Sequence, residues 1–141
     1  MVKHISSVLC ERISKDIDET FSFITCIDGI SASRVPCAIP KLALGIKWFN
    51  YGNKEQKLQS RIEIVKPDGQ IVQNAKETVL ESIIKPLRSH RDNVILNGMP
   101  IDQFGIYKFL IFHIKNKQSE LVAEIPLSVT EIQKEKSIKL D

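Results

Sequence analysis

Two apolar, β-rich runs, Gly105 to Ile114 and Ser119 to Val129, are separated by only the polar residues Lys115 to Gln118. A break that short cannot hold a crossover, so the runs are expected to pair as an antiparallel hairpin. In the first run Tyr107, Phe109, Ile111 and His113 fall on one face, and Ile106, Leu110, Phe112 and Ile114 on the other, with only Lys108 between them. A sandwich strand with a solvated outer side should alternate apolar with polar. Something must therefore cover the second face. Either the Lys76 to Leu87 segment crosses it as a helix, or a second copy of the chain does so about a twofold axis.

Strand patterns recur upstream. Ile5 to Glu11 and Phe21 to Ile27 read as a first hairpin around the polar turn Ser14 to Thr20, with Phe21, Phe23 and Ile27 expected on one face. From Lys41 the alternation is strict, placing Leu42, Leu44, Ile46 and Trp48 inward and sending Phe49 and Tyr51 away from the core. Leu58 to Val65 alternates again before Pro67-Asp-Gly69, a tight turn in which proline presets its own φ and glycine supplies a positive one. Lys76 to Leu87 also fits a helical spacing. Its β-branched residues and Pro86 favour strand, which leaves the homodimer, centred on Leu110 and Phe112, as the expected cover. Asp28 to Pro40, carrying Arg34 and two prolines, reads as an exposed crossing loop, and Asn93 to Asn97 as a short strand.

These patterns predict an all-β fold, an antiparallel two-sheet sandwich, immunoglobulin-like or Greek-key, of about eight strands. Residues 1–130 form its single domain and 131–141 a polar, fraying tail. Gly105-x-Tyr107 matches the corner in which a tyrosine hydroxyl bonds back to upstream backbone, although Gln103 stands where an acid is usual four positions before it.

With 20 Lys and Arg against 17 Asp and Glu, the net charge of +3 is too small and too dispersed to argue for nucleic acid. The one basic cluster, Lys85, Arg88, His90 and Arg91, reads as a solvated loop. No long apolar stretch suggests a membrane segment, and a cytoplasmic location is expected. There Cys10, Cys26 and Cys37 should stay reduced, and their spacing fits neither zinc nor a disulfide framework.

Leu9-Cys10-Glu11, Phe21 to Ile24, Ile39 to Leu44, Val65 to Gly69, Gly105 to Phe109 and Val122 to Leu127 together resemble a family of small, uncharacterised bacterial proteins classed as a domain of unknown function. The resemblance spans roughly residues 5 to 130. It implies the fold and a bacterial origin, and transfers no site.

Nor do the residues spell a reaction. No phosphate loop, nucleophile elbow or zinc helix occurs, and Asp16, Asp18 and Glu19 lack the glycine and the distal glutamate of a calcium loop. His113 is expected in the core, His4 at a fraying end and His90 in solvent. No catalytic residue, cofactor or metal is therefore expected. The chain reads as a non-catalytic β-sandwich module that binds a protein partner or itself, with Leu110, Phe112, Phe49, Tyr51 and Arg34 as candidate surface residues. The alternative is a binder of a peptide or sugar, or a degenerate enzyme, using the Arg34 loop and the Tyr51 turn at one end of the sandwich.

Overall fold

The computed structural model describes residues 1–15, 20–72 and 78–132, and the strands below are those of these residues. Eleven strands follow in order: β1 Val2–Lys15, β2 Phe21–Cys26, β3 Gly29–Ala32, β4 Cys37–Ile39, β5 Ala43–Asn50, β6 Gln56–Val65, β7 Thr78–Ile84, β8 Ser89–Ile95, β9 Met99–Ile101, β10 Gly105–Lys115 and β11 Gln118–Glu131. No helix occurs among the described residues, and so none that is long and apolar enough to cross a membrane.

The strands form three sheets. The first runs β2-β1-β5-β8, the second β3-β11-β10-β6-β7, and β4 pairs with β9 alone. Every pairing is antiparallel except β3 with β11, which is parallel. The all-β expectation holds, whereas eight antiparallel strands in two sheets is too simple. The difference lies in Asp28 to Pro40, which is not a plain crossing loop but contributes β3 and β4. Strands of four and three residues are too short to show a period in sequence.

The alternating strands behave as their patterns require. Leu42, Leu44, Ile46 and Trp48 are fully or almost fully buried, as are Leu58, Ile62 and Ile64 of β6 and Tyr107, Phe109 and Ile111 of β10. They belong to one core cluster fed by both large sheets. Burying each such large side chain contributes about 1.5–3 kcal/mol, which is why inward alternation dictates the pairing register. The Lys76 to Leu87 expectation also resolves to strand over Thr78–Ile84, so no helix from that segment covers β10.

Two local expectations need correction. Phe21 and Phe23 do not share a core face with Ile27. Thr25 adopts φ 58 between them, Ile27 packs against the core, and the Phe23 ring lies over Gly45 on the outer side of the first sheet. The supposed loop around His90 and Arg91 is β8, paired residue by residue with β5. There Arg91 stacks its guanidinium over the Phe21 and Phe23 rings at 5.5 and 5.9 Å, and His90 bonds Asp92 at 2.8 Å. The sequence shows Arg91 as a charge, and only the register places it against an aromatic pair.

The turns follow their chemistry. Gly69 N–H donates to the Lys66 carbonyl at 2.9 Å and Gly69 has φ 90, closing a type I turn with a glycine bulge. Asn116 and Lys117, at φ 50 and 62, make the two-residue β10–β11 turn. The calcium-loop candidates Asp16, Asp18 and Glu19 and residues 133–141 of the expected 131–141 tail lie outside the described residues, whereas Glu131 ends β11 and Ile132 N–H donates to the Ala32 carbonyl at 3.0 Å.

Candidate functional site

The tyrosine corner forms, with Asp102 supplying an acid beside the usual position that Gln103 occupies. Tyr107 Oη accepts from the backbone N–H groups of Asp102 and Gln103 at 3.1 and 3.2 Å, and donates to Asp102 Oδ1 at 3.2 Å. The acid stands five positions before the tyrosine, one earlier than the usual place. That position frees Gln103 to reach across to the Pro67 turn. Gln103 Nε2 donates to Asp68 Oδ2 at 2.7 Å, and Asp68 N–H donates to Gln103 Oε1 at 3.2 Å. Lys66 Nζ pairs with Asp102 Oδ2 at 2.8 Å. The Lys66 bond holds the Asp102 carboxyl below its ordinary range, and the Gln70 N–H does the same for Asp68. Burial, foremost, pushes the Tyr107 hydroxyl up. These bonds clamp the Pro67 turn against the loop that carries Asp102 and Gln103.

At the opposite end of β10 the polar groups are less well answered. His113 is 5% exposed and stands 5.2 Å, edge to face, from Trp48, which His4 also meets at 5.5 Å. Burial is the main cause that lowers both imidazole pKa values. Register aligns Ser60, His113 and Glu120 across β6, β10 and β11. That row has the order of a nucleophile, a base and an acid, on residues whose distance in sequence hides it. Yet Ser60 Oγ is sealed from solvent and has no hydrogen-bond partner, so the imidazole does not hold it as a general base must. His113 lines a cleft of about 420 Å³ with Lys57, Gln59, Lys115 and Asn116 among its walls.

The candidate surface residues fall in three places. Arg34 is exposed in the bend between β3 and β4, beside a cleft of about 440 Å³ that Ile30, Cys37 and Pro40 also line. Tyr51 is exposed at the far end of β5, its ring 4.7 Å from Phe49 and 5.9 Å from the Lys3 ammonium. Pro40 closely precedes β5 and Tyr51 follows it. At about 3.3 Å per residue that eight-residue strand sets the two groups more than 20 Å apart. The structure does not bring Arg34 and Tyr51 into one end site.

Leu110 and Phe112 are together on the outer face of the second sheet. Cross-strand partners arrange Val79, Arg61, Phe112 and Leu121 in one row over β7, β6, β10 and β11, and Glu63, Leu110 and Glu124 in the next. The Arg61 guanidinium lies 4.2 Å from the Phe112 ring centroid and forms an ion pair with Glu63, while Lys108 pairs with Glu124 at 3.5 Å. Long side chains from neighbouring strands thus cover part of the apolar row within one chain. Val79, Ile83 and Leu121 remain exposed on the same sheet, Leu121 at 51%. Among the described residues, no group of three or more His, Cys, Asp or Glu side chains is placed to hold a metal ion.

Fold and site together define an all-β domain with a tyrosine corner, two sheets on one core and a half-covered apolar outer face. The chain belongs to the Family of unknown function (DUF6941), whose model matches residues 5–130. No curated protein matches it.

Proposed function

We propose that the chain is a non-catalytic β-sandwich interaction module, cytosolic and bacterial, that joins a second copy of itself through the outer face of the β3-β11-β10-β6-β7 sheet. The observation that carries this reading is the Val79, Arg61, Phe112, Leu121 row, which leaves Val79 on edge strand β7 and Leu121 on β11 exposed on either side of the half-buried Phe112. The charges are compatible with a like partner. Arg61 pairs with Glu63 and Lys108 with Glu124 within one chain, so the carboxylates beside Leu110 are already balanced. A half-turn can therefore bring the Leu110 and Phe112 rows of two copies together without leaving a charge unpaired. A protein partner other than a second copy would use the same face. The sealed Ser60 and the fully bonded tyrosine corner support a role other than catalysis.

The register also selects the variant for the test. Leu110 lies between two glutamates and Phe112 beside an arginine, so Leu110→Lys with Phe112→Glu suits the monomer's own neighbours while charging the interface. The wild type should elute from size exclusion with light scattering at twice the mass of this double variant. Equal monomeric masses at high micromolar concentration would remove the self-association reading.

A further inference from the structure

Cys10 and Cys26 are far apart in sequence, but the β1–β2 register makes them direct cross-strand partners. Ile27 N–H donates to the Leu9 carbonyl at 2.9 Å, which puts Leu9 and Ile27 at a hydrogen-bonded position of the ladder. The next pair, Cys10 with Cys26, is then at the non-hydrogen-bonded position, where Cα atoms approach to about 4.5 Å and both side chains lean to one face. A disulfide needs Cα separations of about 4.4–6.8 Å, so the pair stands within reach of a bond.

The two thiols differ in access. Cys26 is exposed, whereas Cys10 has no exposed area and its Sγ–H points to the Arg12 and Ala43 carbonyls at 3.3 and 3.6 Å. Burial, followed by the neighbouring Cys26, pushes the Cys10 thiol pKa up, which keeps it protonated and unreactive until a partner is presented. Cys37, on β4, belongs to a separate sheet.

We propose that Cys10 and Cys26 are a two-thiol modification site, which accepts oxidising equivalents from a low-molecular-weight disulfide and ends as a cross-strand disulfide fastening β2 to β1. The exposed Cys26 thiolate attacks the small disulfide, forming a mixed disulfide and expelling one small thiolate. Cys10 then loses its proton and attacks the Cys26 sulfur, expelling the second. Two protein thiols are oxidised, one small disulfide is reduced to two thiols, and the step reverses with excess thiol. Such a pair fits a reducing compartment, where protein disulfides are transient and respond to oxidant.

The test is incubation of the full chain with oxidised glutathione, followed by intact mass and non-reducing peptide mapping. The expected product is lighter than the reduced chain by two hydrogen atoms, contains Cys10 and Cys26 in one linked peptide with Cys37 outside it, and reverts with reductant. In Cys10→Ala the reaction should stop at a glutathione adduct on Cys26. In Cys26→Ser, an exposed and conservative change, no linked peptide should form and the fold should persist by circular dichroism. A lasting adduct on wild-type Cys26 without linkage, a bond involving Cys37, or three unmodified thiols would each overturn the proposal.

Discussion

Tyr107 shows how one hydroxyl organises a whole end of the molecule. Its oxygen answers two backbone N–H groups, and Asp102, which accepts the hydroxyl's hydrogen bond, also anchors Lys66. Removing the hydroxyl leaves those donors short of an acceptor, so Tyr107→Phe should lose about 1–2 kcal/mol in chemical denaturation. Gly105 is fixed by the same corner. It has φ 129, and a Cβ there would meet Pro67 Cβ at 2.9 Å, so Gly105→Ala should cost about 2 kcal/mol or more by the same measurement. A tyrosine two residues after a glycine was enough to suggest the corner from sequence. The identity of its acid was not legible, because Asp102 and Gln103 exchange roles only once the Pro67 turn is docked against them.

Among the elements, legibility followed period. The strands that alternate over eight or more residues, β5, β6 and β10, could be read with the correct inward face because one side of each meets the core. The short β3 and β4 could not, since their pairing depends on β11 and β9 rather than on their own pattern. The Cys10–Cys26 pair was hidden for a related reason, because register is set by how the chain turns and not by spacing in sequence. Of the candidate site, Leu110 and Phe112 were legible from an apolar second face, whereas the Arg61 that half-covers it comes from another strand. Two turns test this scale. Gly69 has open space around it but φ 90, so Gly69→Val should destabilise by about 1 kcal/mol or more purely through the backbone. Lys117 holds φ 62 without being glycine, and Lys117→Gly should raise the denaturation midpoint, a gain of about 0.5–1 kcal/mol.

For the whole molecule, the two histidines in contact with Trp48 tie stability to pH. Burial lowers the pKa of His4 and His113 in the folded chain from the ordinary 6.5. Below 6.5 the unfolded chain therefore binds protons that the folded chain resists, and stability rises with pH across that window. Their contribution is whole above 6.5 and declines as pH falls toward the depressed folded values. Asp102 and Asp68 add a separate loss further down, as pH falls from their ordinary 3.8 through the lowered folded values. Denaturation at about pH 7.5 and about pH 5.5 should show the lower midpoint in acid, and His113→Phe should shrink that difference.

At this scale too belongs the proposed self-association through the outer face of the five-stranded sheet. Arg61 covers part of the Phe112 ring and leaves Val79, Ile83 and Leu121 exposed, a partial cover that a second copy would complete. Sedimentation equilibrium of the wild-type chain through the micromolar range tests this most directly. A reversible monomer–dimer isotherm is expected, and it should disappear in the Leu110→Lys, Phe112→Glu variant. A single monomeric mass at every concentration, identical in wild type and variant, would contradict it.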